Sequence, residues 1–329
     1  MPIAPDNRLL LCLLLASVLL ISSCAGNPAP PPEPVRWIYE AKGSGKERAG
    51  RWAPAFAASA PDETYNRIGQ PEVRQDDGED QEIIIDTDNP AVYFMQQSFA
   101  TDKAVYTNLI YRVHFPEVPY SLIPFNLTAG KNVGLIVVIT LNAENLPILV
   151  TTVHTCGCYL AIVPTRYLPQ DAFPADWKDE PQDVYGERLP PLLDLAGIQS
   201  PKILVYLRPG THRIMDIAVK EANDLSSLPG TIIPMKIEAM DQLDRLPARN
   251  GTTSFYATGG IMQGHVKDSV KPWETLLLGP LSMDLFVGSD KAYGPQTGIP
   301  FYTSLKFWRR DDSDMRDFAR FLHYWGWRL

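Results

Sequence analysis

Cysteine is scarce in this chain, with four in 329 residues. Cys12 sits inside an apolar run and Cys24 at its end, so only Cys156 and Cys158 remain for the body of the protein. That excludes a fold stapled by several disulfides. Positive charge is also short, with a formal net charge of −8. A nucleic-acid protein would be basic, so that class is set aside. The same balance argues against docking on an anionic membrane by bulk electrostatics. No apolar run reaches the about 20 residues a membrane helix needs. The longest, Leu9 to Ile21, has thirteen residues. There is no G-x-S-x-G nucleophile elbow, and the glycine-rich Gly251–Gly264 stretch lacks the Lys-Ser or Lys-Thr of a phosphate loop. No repeat with a period of 20–50 residues is evident.

What is present begins at the N-terminus. A polar start with Arg8 precedes the Leu9–Ile21 run, which has the size of a signal-peptide core. It ends Ile21-Ser22-Ser23-Cys24-Ala25. Small residues before a cysteine at this place resemble the lipobox of bacterial lipoproteins. The resemblance covers Leu20 to Cys24. It implies cleavage before Cys24, acylation of that cysteine and, with Ala25 rather than Asp following, an outer-membrane address on the periplasmic face. Several acyl chains hold a protein firmly, where one does so only marginally. Asn27–Pro34 then carries five prolines in eight residues, an extended spacer. Removing residues 1–23 takes away Asp6 and Arg8 together, so the mature charge stays at −8. The organisation expected is a signal peptide over 1–23, a lipidated Cys24 and linker over 24–36, an irregular segment over 37–90, and a main domain over 91–329. The membrane is one partner; proteins of the cell envelope are the other class open to it.

Thirty prolines point to short elements and long connections, which suits β architecture better than helix bundles. Runs rich in β-branched and aromatic residues recur at 82–86, 91–95, 104–115, 133–141, 146–164, 202–207, 213–219 and 231–239. The acidic run Arg74–Glu82 reads as a solvated loop, since its spacing is not that of a calcium loop. Asn142-Ala143-Glu144-Asn145 and Pro209-Gly210 mark two hairpin turns. Near the end, Met315, Phe318, Ala319, Leu322 and Trp325 have helical spacing, with caps at Asp311–Ser313 and Gly326, which predicts a helix over 312–325. The Tyr324-Trp325-Gly326-Trp327 tail suits a buried aromatic plug better than a contact with lipid headgroups. The fold class is therefore α+β, predominantly antiparallel β as a sandwich or curved sheets of hairpins, with a C-terminal amphipathic helix.

Chemistry is suggested at one place, Val150 to Pro164. Read as one strand, central in its sheet, it puts His154, Cys156 and Cys158 on one face at i, i+2 and i+4. Thiolates and imidazole suit zinc or copper, provided the strand bends at Gly157 and a fourth ligand arrives. His212, beside the second hairpin turn, is the first candidate for it and His114 the second. An oxidising compartment instead favours a Cys156–Cys158 disulfide, open to thiol exchange. The third reading is two idle buried thiols beside a core histidine. His154-Thr155-Cys156-Gly157-Cys158-Tyr159, with the later Gly210-Thr211-His212, also resembles a segment pair of uncharacterised bacterial lipoproteins. That resemblance implies His212 beside the cysteines and brings no activity with it. Leu160 stands where such proteins often carry a further histidine. Function thus stays open among a metal-binding lipoprotein, a thiol–disulfide redox protein and an envelope protein without chemistry.

Overall fold

The computed structural model describes residues 34–41, 48–75, 81–123, 125–294 and 297–329. Cys12, Cys24 and the signal core lie outside the described residues. The chain opens with β1 (Trp37–Ala41), a short helix α1 (Arg48–Trp52) and β2 (Ala55–Ala58). β3 (Gln70–Gln75) and β4 (Gln81–Asp86) pair as a hairpin. β5 (Ala91–Ala100), β6 (Val105–Val118), β7 (Gly130–Leu141), β8 (Pro147–His154) and β9 (Ala161–Pro164) follow as an antiparallel meander. A small hairpin of β10 (Gln182–Val184) and β11 (Glu187–Leu189) precedes the β12 (Pro201–Leu207) and β13 (Ile214–Glu221) hairpin. β14 (Thr231–Ala239) and the hairpin β15 (Leu246–Ala248)–β16 (Gly251–Thr253) complete the strands. Two further helices come late, α2 (Pro272–Ser282) and α3 (Phe318–Tyr324).

Ten strands form one mixed sheet in the order β13-β12-β2-β1-β14-β5-β6-β7-β8-β9. Most neighbours are antiparallel; β14 runs parallel to β1 and β5, and β2 parallel to β12. The sheet curls. Tyr39 of β1, Phe56 of β2, Val205 of β12 and Ile217 of β13 share one core with Leu109, Tyr111, Leu135, Val137 and Ile139 of β6 and β7. The outer face over β5–β8 is covered by the last ninety residues, through Phe255, Tyr293, Phe301, Met315, Phe318 and Phe321 against Ile110, Ile136 and Val138. β7 therefore buries both faces, which is why it reads as an unbroken apolar run rather than an alternating one. Each of its fully buried aliphatic side chains contributes about 1.5–3 kcal/mol. A charged residue at Val137 would break both the strand and the closure.

The fold class is as expected from the sequence, α+β and dominated by β. Several elements differ. Residues 37–90, expected to be irregular, supply β1, β2 and the β3–β4 hairpin, and the ends of the Arg74–Glu82 run are strand. Residues 76–80 of that run lie outside the described residues. The late helix is shorter than 312–325. Asp317 caps it, accepting from the Arg320 amide at 3.2 Å. Asp314 is drawn off instead to the Phe301 amide at 3.0 Å and to Arg316, pinning that stretch beside 301. Gly326, at φ +89°, stops the helix as expected. Of the tail expected as a buried plug, Trp327 is buried against Phe173 and Trp177, while Tyr324 is half-buried and Trp325 exposed. α2 carries Pro272 at its first turn, and its apolar residues gave no helical signal because they do not fall on one face.

Candidate functional site

Val150–Pro164 is two strands rather than one. β8 ends at His154, and residues 155–160 turn the chain back into β9, which is the edge of the sheet rather than its centre. The turn closes through the Gly157 amide to the His154 carbonyl at 2.8 Å and the His154 amide to the Cys158 carbonyl at 2.9 Å. Within it Cys156 and Cys158 are joined by a disulfide, their Cα atoms 5.6 Å apart. An extended strand would hold them near the upper limit for a bridge; the turn removes that obstacle. Gly157 sits at φ +95°, and a Cβ there would collide with the Tyr302 carbonyl oxygen. Glycine is thus required twice over, by conformation and by space. Cys156 is buried, while Cys158 is half-buried and so the more reachable sulfur.

His154 and His212 do meet. The Nε2–H of His154 donates to the His212 carbonyl at 3.1 Å. His212, in the β12–β13 turn at φ 56°, stacks face to face on Phe115 with centroids 4.0 Å apart and donates its own Nε2–H to the Tyr65 carbonyl at 2.8 Å. Both protons are therefore on Nε2, since a carbonyl only accepts. Burial pushes each imidazole down to about 3, with Lys271 adding to the effect on His154 and His154 adding to it on His212. Neither ring is a cation near neutral pH, so neither stabilises a thiolate as an imidazolium. Tyr159 covers the turn, its ring edge-on to His154 at 4.8 Å and to Tyr185 at 4.9 Å. His114 stands apart, accepting Arg112 Nε–H at 2.8 Å in a separate buried cluster with Tyr93 and Phe255.

Beneath the turn lies a group of buried charges that nothing in the sequence pattern pointed to. Lys291 donates its amide to the Thr155 carbonyl at 2.8 Å and its ammonium to the Cys156 carbonyl at 3.0 Å. Asp290 accepts from the Thr155 hydroxyl and from the Gly134 amide, the latter at 3.2 Å. Its other oxygen lies 3.0 Å from Lys271 Nζ, and Glu274 is 4.0 Å from the same ammonium. Burial pushes Lys291 down to about 8 and raises the Glu274 carboxyl. These residues fix the turn from below and place two ammonium groups near it. Among the described residues no cluster of three or more His, Cys, Asp or Glu side chains is placed to hold a metal ion. The four residues expected as ligands are split, with the sulfurs bonded to each other and the imidazoles engaged with backbone carbonyls. No family model, curated protein or solved structure matches this chain.

Proposed function

We propose that this protein is an envelope lipoprotein, acylated at Cys24 and held at the periplasmic face of a bacterial outer membrane, whose working centre is the Cys156–Cys158 pair cycling between disulfide and dithiol. The observation that carries the redox part is the pair itself, closed across Gly157 in a turn on the sheet edge, with Cys158 half-buried and Cys156 buried, its carbonyl held by the Lys291 ammonium. An incoming thiolate attacks the Cys158 sulfur, the S–S bond breaks, and the electron pair passes to Cys156. The Lys291 ammonium, held on the Cys156 carbonyl at 3.0 Å, puts a positive charge beside the same residue and favours the thiolate, and the proton comes from solvent. A second thiol then resolves the mixed disulfide. Overall one disulfide and two thiols of the partner become two cysteine thiols and one partner disulfide, so the balance closes. Lys291, rather than His154, is the group that assists the thiolate.

A second reading, a zinc or copper site built from His154, Cys156, Cys158 and His212 after reduction, draws support from the two tautomers. Each Nε2–H rests on a backbone carbonyl, which leaves each Nδ1 lone pair uncommitted to it, the arrangement that outer-shell carbonyls impose on metal-binding histidines. One experiment separates the readings. The full lipoprotein is equilibrated in thiol–disulfide buffers of graded potential, alkylated and counted by mass. Two thiols are expected to appear while the far-UV spectrum stays native. In single variants the thiol left by Cys156→Ser alkylates faster than that left by Cys158→Ser. Thiols that appear only on unfolding make the bridge a structural one and overturn the redox reading. Reduced protein that takes up no stoichiometric zinc or copper overturns the metal reading.

A further inference from the structure

The end of α2 and the segment 305–309 together present an apolar surface that the redox centre does not use. Leu281, Met283 and Leu285 alternate outward while Ser282 and Asp284 turn in, leaving Met283 68% and Leu285 69% exposed. Leu305, Phe307 and Trp308 are exposed on the neighbouring segment, Trp308 by 65%. The two stretches are tied together. Arg310 donates to the Ser282 carbonyl and lies 3.8 Å from Asp284, and the Tyr302 hydroxyl donates to the same Asp284. Six large apolar side chains therefore stand out from one tied pair of segments, more than scattered surface exposure explains.

We infer that this surface docks on lipid, as a second membrane contact beside the acyl anchor. Its chemistry fits a headgroup interface. Within Leu305-Lys306-Phe307-Trp308-Arg309-Arg310, Arg309 is bridged to Asp312 and Arg310 to Asp284, which leaves Lys306 beside the aromatic pair as the cation that can reach outward. Trp settles at the interface, Lys306 extends to a phosphate, and Leu and Phe enter the acyl boundary. The chain's net charge of −8 rules out docking by bulk charge, so the contact is local and carried by apolar insertion. The tether argues the same way. The ten residues that follow Cys24, up to Pro34, can span at most about 35 Å even fully extended. That keeps the domain within roughly its own diameter of the bilayer and makes a weak contact effective. This part rests on the anchor reading above; the patch itself does not.

The test uses the full lipoprotein in phosphatidylethanolamine–phosphatidylglycerol vesicles containing interfacially brominated lipid, which quenches tryptophan on contact. The chain has seven tryptophans. The quenched component is expected to fall by one tryptophan's share in Trp308→Phe. It is expected to be lost as well in Met283→Ser/Leu285→Ser, where Trp308 is still present and the side chains removed are exposed. Equal quenching in parent and variants overturns the inference. So does a dimer or partner complex in which Trp308 is shielded from lipid. The mass of the peptide carrying Cys24 tests acylation separately. If that peptide is unmodified, the quenching comparison is made at millimolar lipid, and its result decides the patch whatever the anchor does.

Discussion

Asp290→Asn isolates what the buried charges do for the turn. The substitution keeps the shape and keeps an oxygen to accept from the Gly134 amide and the Thr155 hydroxyl. What it removes is the charge facing Lys271 at 3.0 Å, where the two side chains are 0–1% exposed. Breaking a buried pair from one side leaves an uncompensated ion and costs about 3–5 kcal/mol. Glu274 stands 4.0 Å from the same ammonium. A full charge there would return about 4 kcal/mol at an effective dielectric of about 20. Burial raises the Glu274 carboxyl, however, so that compensation is already weakened. The expected loss is therefore about 3 kcal/mol, at the low end of the range, from a total stability of order 5–15 kcal/mol. Urea unfolding followed by tryptophan fluorescence reads it. Lys271→Met in the Asp290→Asn background should recover part of the loss, because the stranded cation is then gone. A change under about 1 kcal/mol, or a double-mutant cycle with no coupling between 271 and 290, would refute the claim that this pair supports the turn.

Acid should destabilise the protein early. His154 and His212 titrate near 6.5 when unfolded and near 3 when folded, so below pH 6.5 the unfolded chain binds more protons and stability falls as pH falls. The slope approaches about 1.4 kcal/mol per pH unit for each histidine, continuing toward pH 3. Urea midpoints at pH 7, 6 and 5 should decline progressively, and His154→Gln should flatten the decline; a level profile would contradict the burial argument. Gly157→Ala should cost more than the about 1–2 kcal/mol of a left-handed L-residue, because the added Cβ also meets the Tyr302 carbonyl. Thermal melts of that variant measure it, and a parent-like melting temperature would mean the turn and the 302 segment are not held as described.

Tyr302 connects the two surfaces to which function is assigned. Its carbonyl packs on Gly157, its ring lies 4.6 Å from Lys291 Nζ and 4.9 Å from the Arg310 guanidinium, and its hydroxyl reaches Asp284. The backbone that closes one side of the disulfide turn thus leads within a few residues to the apolar run at 305–309. The same residue makes Gly157→Ala informative beyond stability, since a displaced Tyr302 would also move the apolar run.

Local periodicity was readable and long-range pairing was not. Asn142–Asn145 and Pro209-Gly210 announced their hairpins because turn chemistry is written in adjacent residues. β8 and β9 looked like one strand because β-branched residues continue through Thr155, and the reversal depends on Gly157 meeting a carbonyl 145 positions away. The helix at 312–325 was overcalled for the same reason: Asp314 serves Phe301 across a bridge, and no spacing rule contains that partner. His154, Cys156, Cys158 and His212 were found as a group because they are rare residue types in a β context. Lys271, Glu274, Asp290 and Lys291 were missed because isolated charged residues beside a proline, at the start of a helix or after Gly288-Ser289 look like any solvated surface. Only the fold shows them to be buried, and once buried each must have a partner, which is how the floor of the turn came to be built from ions.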